Sequence, residues 1–245
     1  MARLWVGTSG WNYAHWANGV FYPQGLKSAE WLKYYAKFFN AVELNVTFYR
    51  QVQKKTFEHW RRVTPRNFCF VVKGSRFITH IKRLKDVKGS LEMFFDSVGA
   101  LKAKCGAVLW QLPPGFKKDS HRLEGFLKLL QKKKIPQVFE FRHATWFQED
   151  VVALLKSYRA CLCIAHSDRF PCEKMVTANF LYLRFHGPGG LYGSRYTSAQ
   201  LKSWVRFARE FKKKNIFVFF NNDACGHAVE NALAFEKLMR PQLME

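Results

Sequence analysis

Eight short apolar runs recur along the chain, and each ends in polar or ionisable residues: Leu4–Ser9, Ala41–Asn45, Phe68–Lys73, Ala107–Gln111, Val138–Arg142, Cys161–Asp168, Leu181–His186 and Ile216–Asn222. Helix-like segments separate nearly all of them. The repeat predicts an α/β fold, a single TIM-like (β/α)8 barrel over residues 1–245, in which every strand carries its last side chains to one face. The helix signals are amphipathic. Trp31, Leu32, Tyr35 and Phe39 share one face of a segment that Ser28 is placed to cap, and Leu201, Trp204, Val205 and Ala208 do so after Ser198. Leu91, Phe94, Phe95, Val98 and Leu101, and then Leu123, Phe126, Leu127 and Leu130, repeat the spacing. Only Arg169–Phe180 joins the sixth and seventh runs, too little for a comfortable crossover helix, so the barrel is expected to be irregular there.

Side chains two apart along a strand point the same way. Glu43 with Asn45, Glu140 with Arg142, and Tyr182 with Arg184 and His186 therefore form sets, while Leu44, Phe139, Phe141, Leu183 and Phe185 suit the helix layer. This places Glu43, Asn45, Glu140, Arg142, Arg184 and His186 in the barrel mouth, joined by Lys73, Gln111 and Asn221. Each strand then leads into a further polar group, among them Ser9, His143, Asp168 and Asn222. Two carboxylates among cations suit acid/base work, one ionised beside Arg or Lys and one protonated against a dry wall such as Trp11, Trp110 or Trp146. The alternative is that Glu43–Lys73 and Glu140–Arg184 are ion pairs that plug the barrel.

Glu43, Glu140, His143, His166, Asp168 and His186 are also metal-ligand types, but no HxH or HExxH spacing connects them, and no metal or cofactor is expected. Two loops that run into helices, Gly187–Ser198 and the one after Asn222, lie where many β/α barrels hold phosphate; Arg184, Tyr192, Arg195 and Tyr196 lie near the first. GTSGWN does not follow GxGxxG, which excludes a Rossmann reading.

Composition changes the picture in one respect. Lys and Arg number 40 against 18 Asp and Glu, a net charge of +22 that should attract polyanions or serve as a solubility surface. Lys132–Lys134 and Lys212–Lys214 close helices and fall at the far end of the barrel. Lys54, Lys55, Arg76, Lys82, Arg83, Lys85, Lys88, Lys117, Lys118 and Arg195 follow strand ends and would surround the mouth. The six cysteines contain no CxxC pair, and Cys161 and Cys163 read as buried thiols. No stretch reaches the length of a membrane span and no signal-peptide core opens the chain, so a cytoplasmic protein is expected, with no membrane partner.

GTSGWNYAHWANGVFYP, FNAVELNVTFYR, KGSRFITH, LWQLPPGF, FEFRHATWF, LRFHG and FNNDACGHAVENA, in that order, resemble the motifs of the YecE-like family, domain of unknown function 72. The resemblance covers nearly the whole chain and implies a TIM-barrel-like fold. It carries over onto Ser9, Trp11, Glu43, Asn45, Tyr49, Lys73, His80, Gln111, Glu140, Arg142, His143, Trp146, Arg184, His186, Asn221, Asn222 and Asn231.

The leading expectation is an enzyme, a hydrolase or lyase, acting on an anionic, phosphate-bearing substrate. Glu43 and Glu140 would share acid/base roles, Lys73, Arg142 and Arg184 would stabilise negative charge, and His143 or His186 would shuttle a proton. Ser9, Trp11, Asn45, Tyr49, His80, Gln111, Trp146, Tyr192, Tyr196, Asn221 and Asn222 would bind substrate. The alternatives are a metal-dependent nuclease or repair protein that resembles endonuclease IV in fold, and a non-catalytic nucleic-acid-binding module. The expected partner is accordingly an anionic small molecule or nucleic acid.

Overall fold

The computed structural model describes residues 2–240. Each apolar run forms parallel strand: β1 (Leu4–Thr8), β2 (Ala41–Leu44), β3 (Cys69–Lys73), β4 (Cys105–Gln111), β5 (Gln137–Glu140), β6 (Cys161–Leu162), β7 (Ile164–His166), β8 (Phe180–Phe185) and β9 (Asn215–Phe220). The ladders run in the orders β1-β9-β8-β7 and β2-β3-β4-β5-β6, all parallel. The sixth run supplies both β6 and β7; Cys163 lies between them and donates its N–H to Phe139 O at 2.8 Å. The result is a TIM-like barrel.

The remaining junction, between β1 and β2, is closed by side chains. Asn40 accepts from Val6 N at 3.0 Å and donates to Leu4 O at 2.8 Å. The Tyr35 hydroxyl accepts from Thr8 N at 2.9 Å and donates to Ala41 O at 3.0 Å. This requires close approach, and Gly7 provides it: a Cβ there would stand 2.0 Å from Ala41 O. Gly7→Ala is expected to force the seam apart and cost about 1–3 kcal/mol in urea unfolding, as overpacking does; an unchanged midpoint would remove Gly7 from the closure.

The helices are α1 (Trp31–Tyr35), α2 (Val46–Tyr49), α3 (Lys54–Val63), α4 (Lys88–Val98), α5 (Ser120–Leu130), α6 (Glu149–Ser157), α7 (Ser198–Arg209) and α8 (His227–Met239). Among the described residues none is long and apolar enough to cross a membrane. Two caps differ from expectation. Ser28 makes no capping bond and begins a 3-10 turn before α1. Thr197, rather than Ser198, caps α7 and forms a capping box with Gln200. The connection at 167–179 is irregular, as its length predicts, and carries no helix. Thr177 ties its end to the barrel by accepting from Leu162 N and donating to Ala160 O, both at 2.7 Å.

The strand alternation separates two cores. Val42, Phe70, Val72, Val108, Trp110, Phe139, Leu183 and Val218 pack against helices. Ala41, Cys69, Val71, Ala107, Leu109, Val138, Cys161, Cys163, Tyr182, Phe217 and Phe219 fill the interior. Small residues opposite large aromatics let the layers interdigitate. Cys161 and Cys163 are buried thiols whose pKa burial pushes up. Lys133 and Lys134 border a depression with Trp5, Gly106, Gln137 and Asn215, at the strand N-termini and so at the far end from the mouth.

Candidate active site

Above the apolar layers, the next interior positions are Glu43, Lys73, Gln111, Glu140 and Arg184, from five different strands and all buried. Arg184 forms the centre. Its Nη2 donates to Glu43 Oε1 at 2.6 Å and its Nη1 donates to Glu140 Oε2. Glu43 also accepts from Ser9 Oγ at 2.8 Å and from Tyr182 OH at 2.7 Å. Glu140 accepts a further bond from Arg142 Nε at 2.7 Å, and His186 Nε2 lies 3.7 Å from it. Burial alone would raise the Glu140 carboxyl, but Arg184 and then Arg142 hold it well below the usual carboxylate range. The expected pair Glu140–Arg184 is present; the expected pair Glu43–Lys73 is not, because Arg184 takes both carboxylates.

That leaves Lys73 apart. Among the described residues no carboxylate lies within ion-pair distance of its Nζ and no protein group hydrogen-bonds it. Nζ sits 4.3 Å from the centre of the Phe48 ring. Desolvation, reinforced by the Arg184 charge, brings its pKa down to about 7. Two neutral imidazoles adjoin. Burial pushes His186 down to about 4, aided by Arg184, and burial with the Lys73 charge pushes His80 down to about 4. His186 Nδ1 is 3.1 Å from Asn221 Nδ2, while His80 Nε2 is 3.4 Å from Gln111 Nε2. Arg142 is spoken for only at Nε. Its guanidinium lies 4.5 Å from the Phe170 ring, and among the described residues its Nη atoms make no protein hydrogen bond.

Several other expected residues border this cluster. Asn45 donates to Ser9 O at 3.0 Å and leaves its buried Oδ1 without a partner. Tyr49 is exposed, and Tyr192 stands edge-on to His186 with ring centres 5.4 Å apart. Others face elsewhere, which corrects the sequence reading. Trp146 is stacked on Phe141 at 4.7 Å and donates to Phe116 O; Trp11 packs edge-on to Trp60; Trp110 lies in the helix layer and donates to Gln137. None of the three forms a dry wall against Glu43 or Glu140. Tyr196 is buried, with its hydroxyl 2.8 Å from His166 Nδ1. Asn222 donates to Ser194 O and Asn231 Oδ1, both at 2.9 Å, and so fastens the Gly187–Ser198 loop to α8. His143 accepts from Thr145 N and caps the turn that begins at Ala144. A side-chain period of two holds within strands and has no force once the chain leaves them.

The sequence reading left out Tyr182 as a site residue although it shares the face of Arg184, a signal that was available. It also left out Phe48 beneath Lys73 and Tyr13, whose hydroxyl donates to Ser9 O at 2.5 Å. Neither has a periodic signal. Of the cations expected around the mouth, Lys54 pairs with Asp96, Lys118 with Asp150 and Arg195 with Glu230. Among the described residues no three His, Cys, Asp or Glu side chains converge as a metal site would require. The guanidinium of Arg184 fills the space between Glu43 and Glu140, and His166 faces Tyr196 and Trp204.

The family model described as "Protein of unknown function DUF72" matches residues 5–244. The chain belongs to the DUF72 family. Among curated relatives, UPF0759 protein YunF of Bacillus subtilis is 27% identical over 271 residues, covering 96% of this chain and 94% of YunF. The crystal structure of a DUF72 protein from Thermotoga maritima superposes with a TM-score of 0.85 at 32% identity, covering 96% of this chain and 98% of that one. D-psicose 3-epimerase from Clostridium cellulolyticum superposes with a TM-score of 0.57 at 10% identity, covering 97% and 98%, a likeness of fold alone.

Proposed function

We propose that this DUF72 protein is an enzyme, a lyase or hydrolase, acting on an anionic, phosphate-bearing substrate at the C-terminal mouth of its barrel. One observation carries the reading: a buried amine without a carboxylate partner, Lys73, stands in the mouth beside an arginine, Arg142, with unused donors. Perturbed titratable groups gathered at strand C-termini favour catalysis over scaffolding. The roles differ from the sequence expectation. Glu140 is held ionised and, with Glu43, brackets the Arg184 guanidinium in a fixed cluster, while Lys73 is left as the reactive amine. Arg142 and Asn221 are offered to the substrate anion.

A ³¹P NMR survey of phosphorylated small molecules incubated with the protein tests this. One compound is expected to be consumed, and to bind more tightly than its dephosphorylated counterpart. Loss of a charge-assisted hydrogen bond costs about 1.5–3 kcal/mol, so Arg142→Ala should weaken that binding roughly 10- to 100-fold. Equal binding of phosphorylated and neutral partners by the wild-type protein would overturn the reading.

A second reading has an observation of its own. Arg76, Lys82, Arg83, Lys85 and Lys88 are exposed in one segment with Phe77 and Ile81, and among the described residues none of these cations is ion-paired. Unpaired cations with exposed apolar side chains suit single-stranded nucleic acid. Oligonucleotide affinity that falls steeply between two salt concentrations would favour this reading, with or without cleavage.

A further inference from the structure

We infer that Lys73 is a covalent nucleophile, placed to condense with the carbonyl carbon of an aldehyde or ketone whose anionic group is held by Arg142. The inference rests on the enzyme reading above and names its substrate class.

Four geometric features support it. Lys73 ends β3 inside the barrel, so its stem runs up the wall and its amine emerges among strand C-termini. Its backbone is immobilised on both sides: Thr47 Oγ1 donates to Lys73 O at 2.6 Å, and Gly74 N donates to Leu109 O at 2.8 Å. Gly74 is needed there, because a Cβ would stand 2.2 Å from the Trp110 ring. The two carboxylates that share its layer, Glu43 and Glu140, are both committed to Arg184, and Arg142 takes the remaining oxygen of Glu140. Finally, Phe48 covers one side of the amine and the edge of His80, with ring centres 4.9 Å apart. A lysine with a carboxylate partner stays protonated and inert. One desolvated beside other cations is the ordinary form of an imine-forming lysine.

The step balances without a further reagent. The amine lone pair forms the N–C bond while the carbonyl π pair moves to oxygen, which takes the proton that the amine nitrogen gives up. The resulting carbinolamine expels that oxygen as water after a second protonation, leaving a protonated imine on Lys73. Neutral amine, carbonyl compound and one proton thus become iminium and water. His80, neutral and packed against the same Phe48 ring, is placed to relay the proton. The iminium then draws electrons from the neighbouring carbon, as a lyase requires.

Reductive trapping tests the inference on the wild-type protein. Glycolaldehyde phosphate, dihydroxyacetone phosphate and unphosphorylated glycolaldehyde are each incubated with it and reduced with sodium borohydride, and the sites are mapped by peptide mass spectrometry. Lys73 is expected to carry the label at more than 10 times the yield of any surface lysine. Its yield should rise with pH about a midpoint near 7, under the charges that face it from Arg184, Arg142, Glu43 and Glu140, with the neutral His80 beside it. Arg142→Ala should cut labelling by the phosphorylated probes far more than labelling by glycolaldehyde, which has no anionic group for it to hold. Label absent from Lys73, or spread over lysines according to exposure, overturns the inference. Tighter binding of phosphorylated compounds, retained in Lys73→Met, would show that the anion-binding reading survives such a failure. If that binding is also absent from the wild type, both fall.

Discussion

Replacing Arg184 with methionine is expected to lower unfolding stability by about 3–5 kcal/mol, the cost of breaking a buried ion pair from one side. Arg184 is fully buried between two carboxylates that are equally buried. Its removal does not affect them equally. Glu140 keeps Arg142 at 2.7 Å, whereas Glu43 retains only the neutral donors Ser9 and Tyr182. The penalty should therefore concentrate on Glu43, and adding Glu43→Gln to Arg184→Met should restore more stability than adding Glu140→Gln. The first pairing removes an uncompensated charge; the second leaves that charge in place and deprives Arg142 of its partner. Urea unfolding of the three variants decides it. A single variant within 1 kcal/mol of wild type, or the reverse order of rescue, would show that Arg184 is not what holds the carboxylates.

Much of this cluster was legible in the sequence, and the reason is geometric. Within a strand the side-chain period is two. Glu43, Glu140 and Arg184 could therefore be assigned to the interior from Leu44, Phe139 and Leu183 beside them, and Lys73 and Gln111 followed as strand-end residues. The pairing among them was not legible. It depends on how the barrel closes, and Arg184 reaches Glu43 across 141 residues of chain. Nor does any periodicity show that one guanidinium would take both carboxylates and leave Lys73 unpaired. Trp11, Trp146 and Tyr196 were expected in the mouth because they follow strand ends, but loop packing turned each inward against Trp60, Phe141 and His166. The closure of β1 on β2 by Asn40, Tyr35 and Gly7 had no sequence signature either, since a hydrogen bond from a side chain to a distant strand leaves no local pattern.

The same burial makes stability depend on pH, and His186 supplies a large acid-side effect. It is fully buried and held at about 4, while in the unfolded chain it titrates near its ordinary 6.5. Between those values the unfolded chain binds the extra proton, so stability falls as pH falls. The loss approaches about 3 kcal/mol, at about 1.4 kcal/mol per pH unit. Glu140 continues the trend: its contribution is complete above its unfolded value of 4.5 and is lost as pH falls further. Asp223 opposes it over part of the range, being raised to about 6 by burial despite its 3.0 Å pair with His15, so that the folded state is the one that gains a proton there. The informative quantity is therefore the wild type compared with His186→Gln. Measured by urea unfolding at pH 4.5 and 6.5, the wild type should lose about 2–3 kcal/mol more than the variant over that interval. Equal losses would mean that His186 is charged in the folded protein. On the alkaline side Lys73 acts with the same sign: folded near 7 and unfolded near 10.5, it leaves the unfolded chain with the extra proton, and stability should still climb above pH 7. That rise should be absent from Lys73→Met, which ties the amine inferred to be reactive to an observable that needs no substrate.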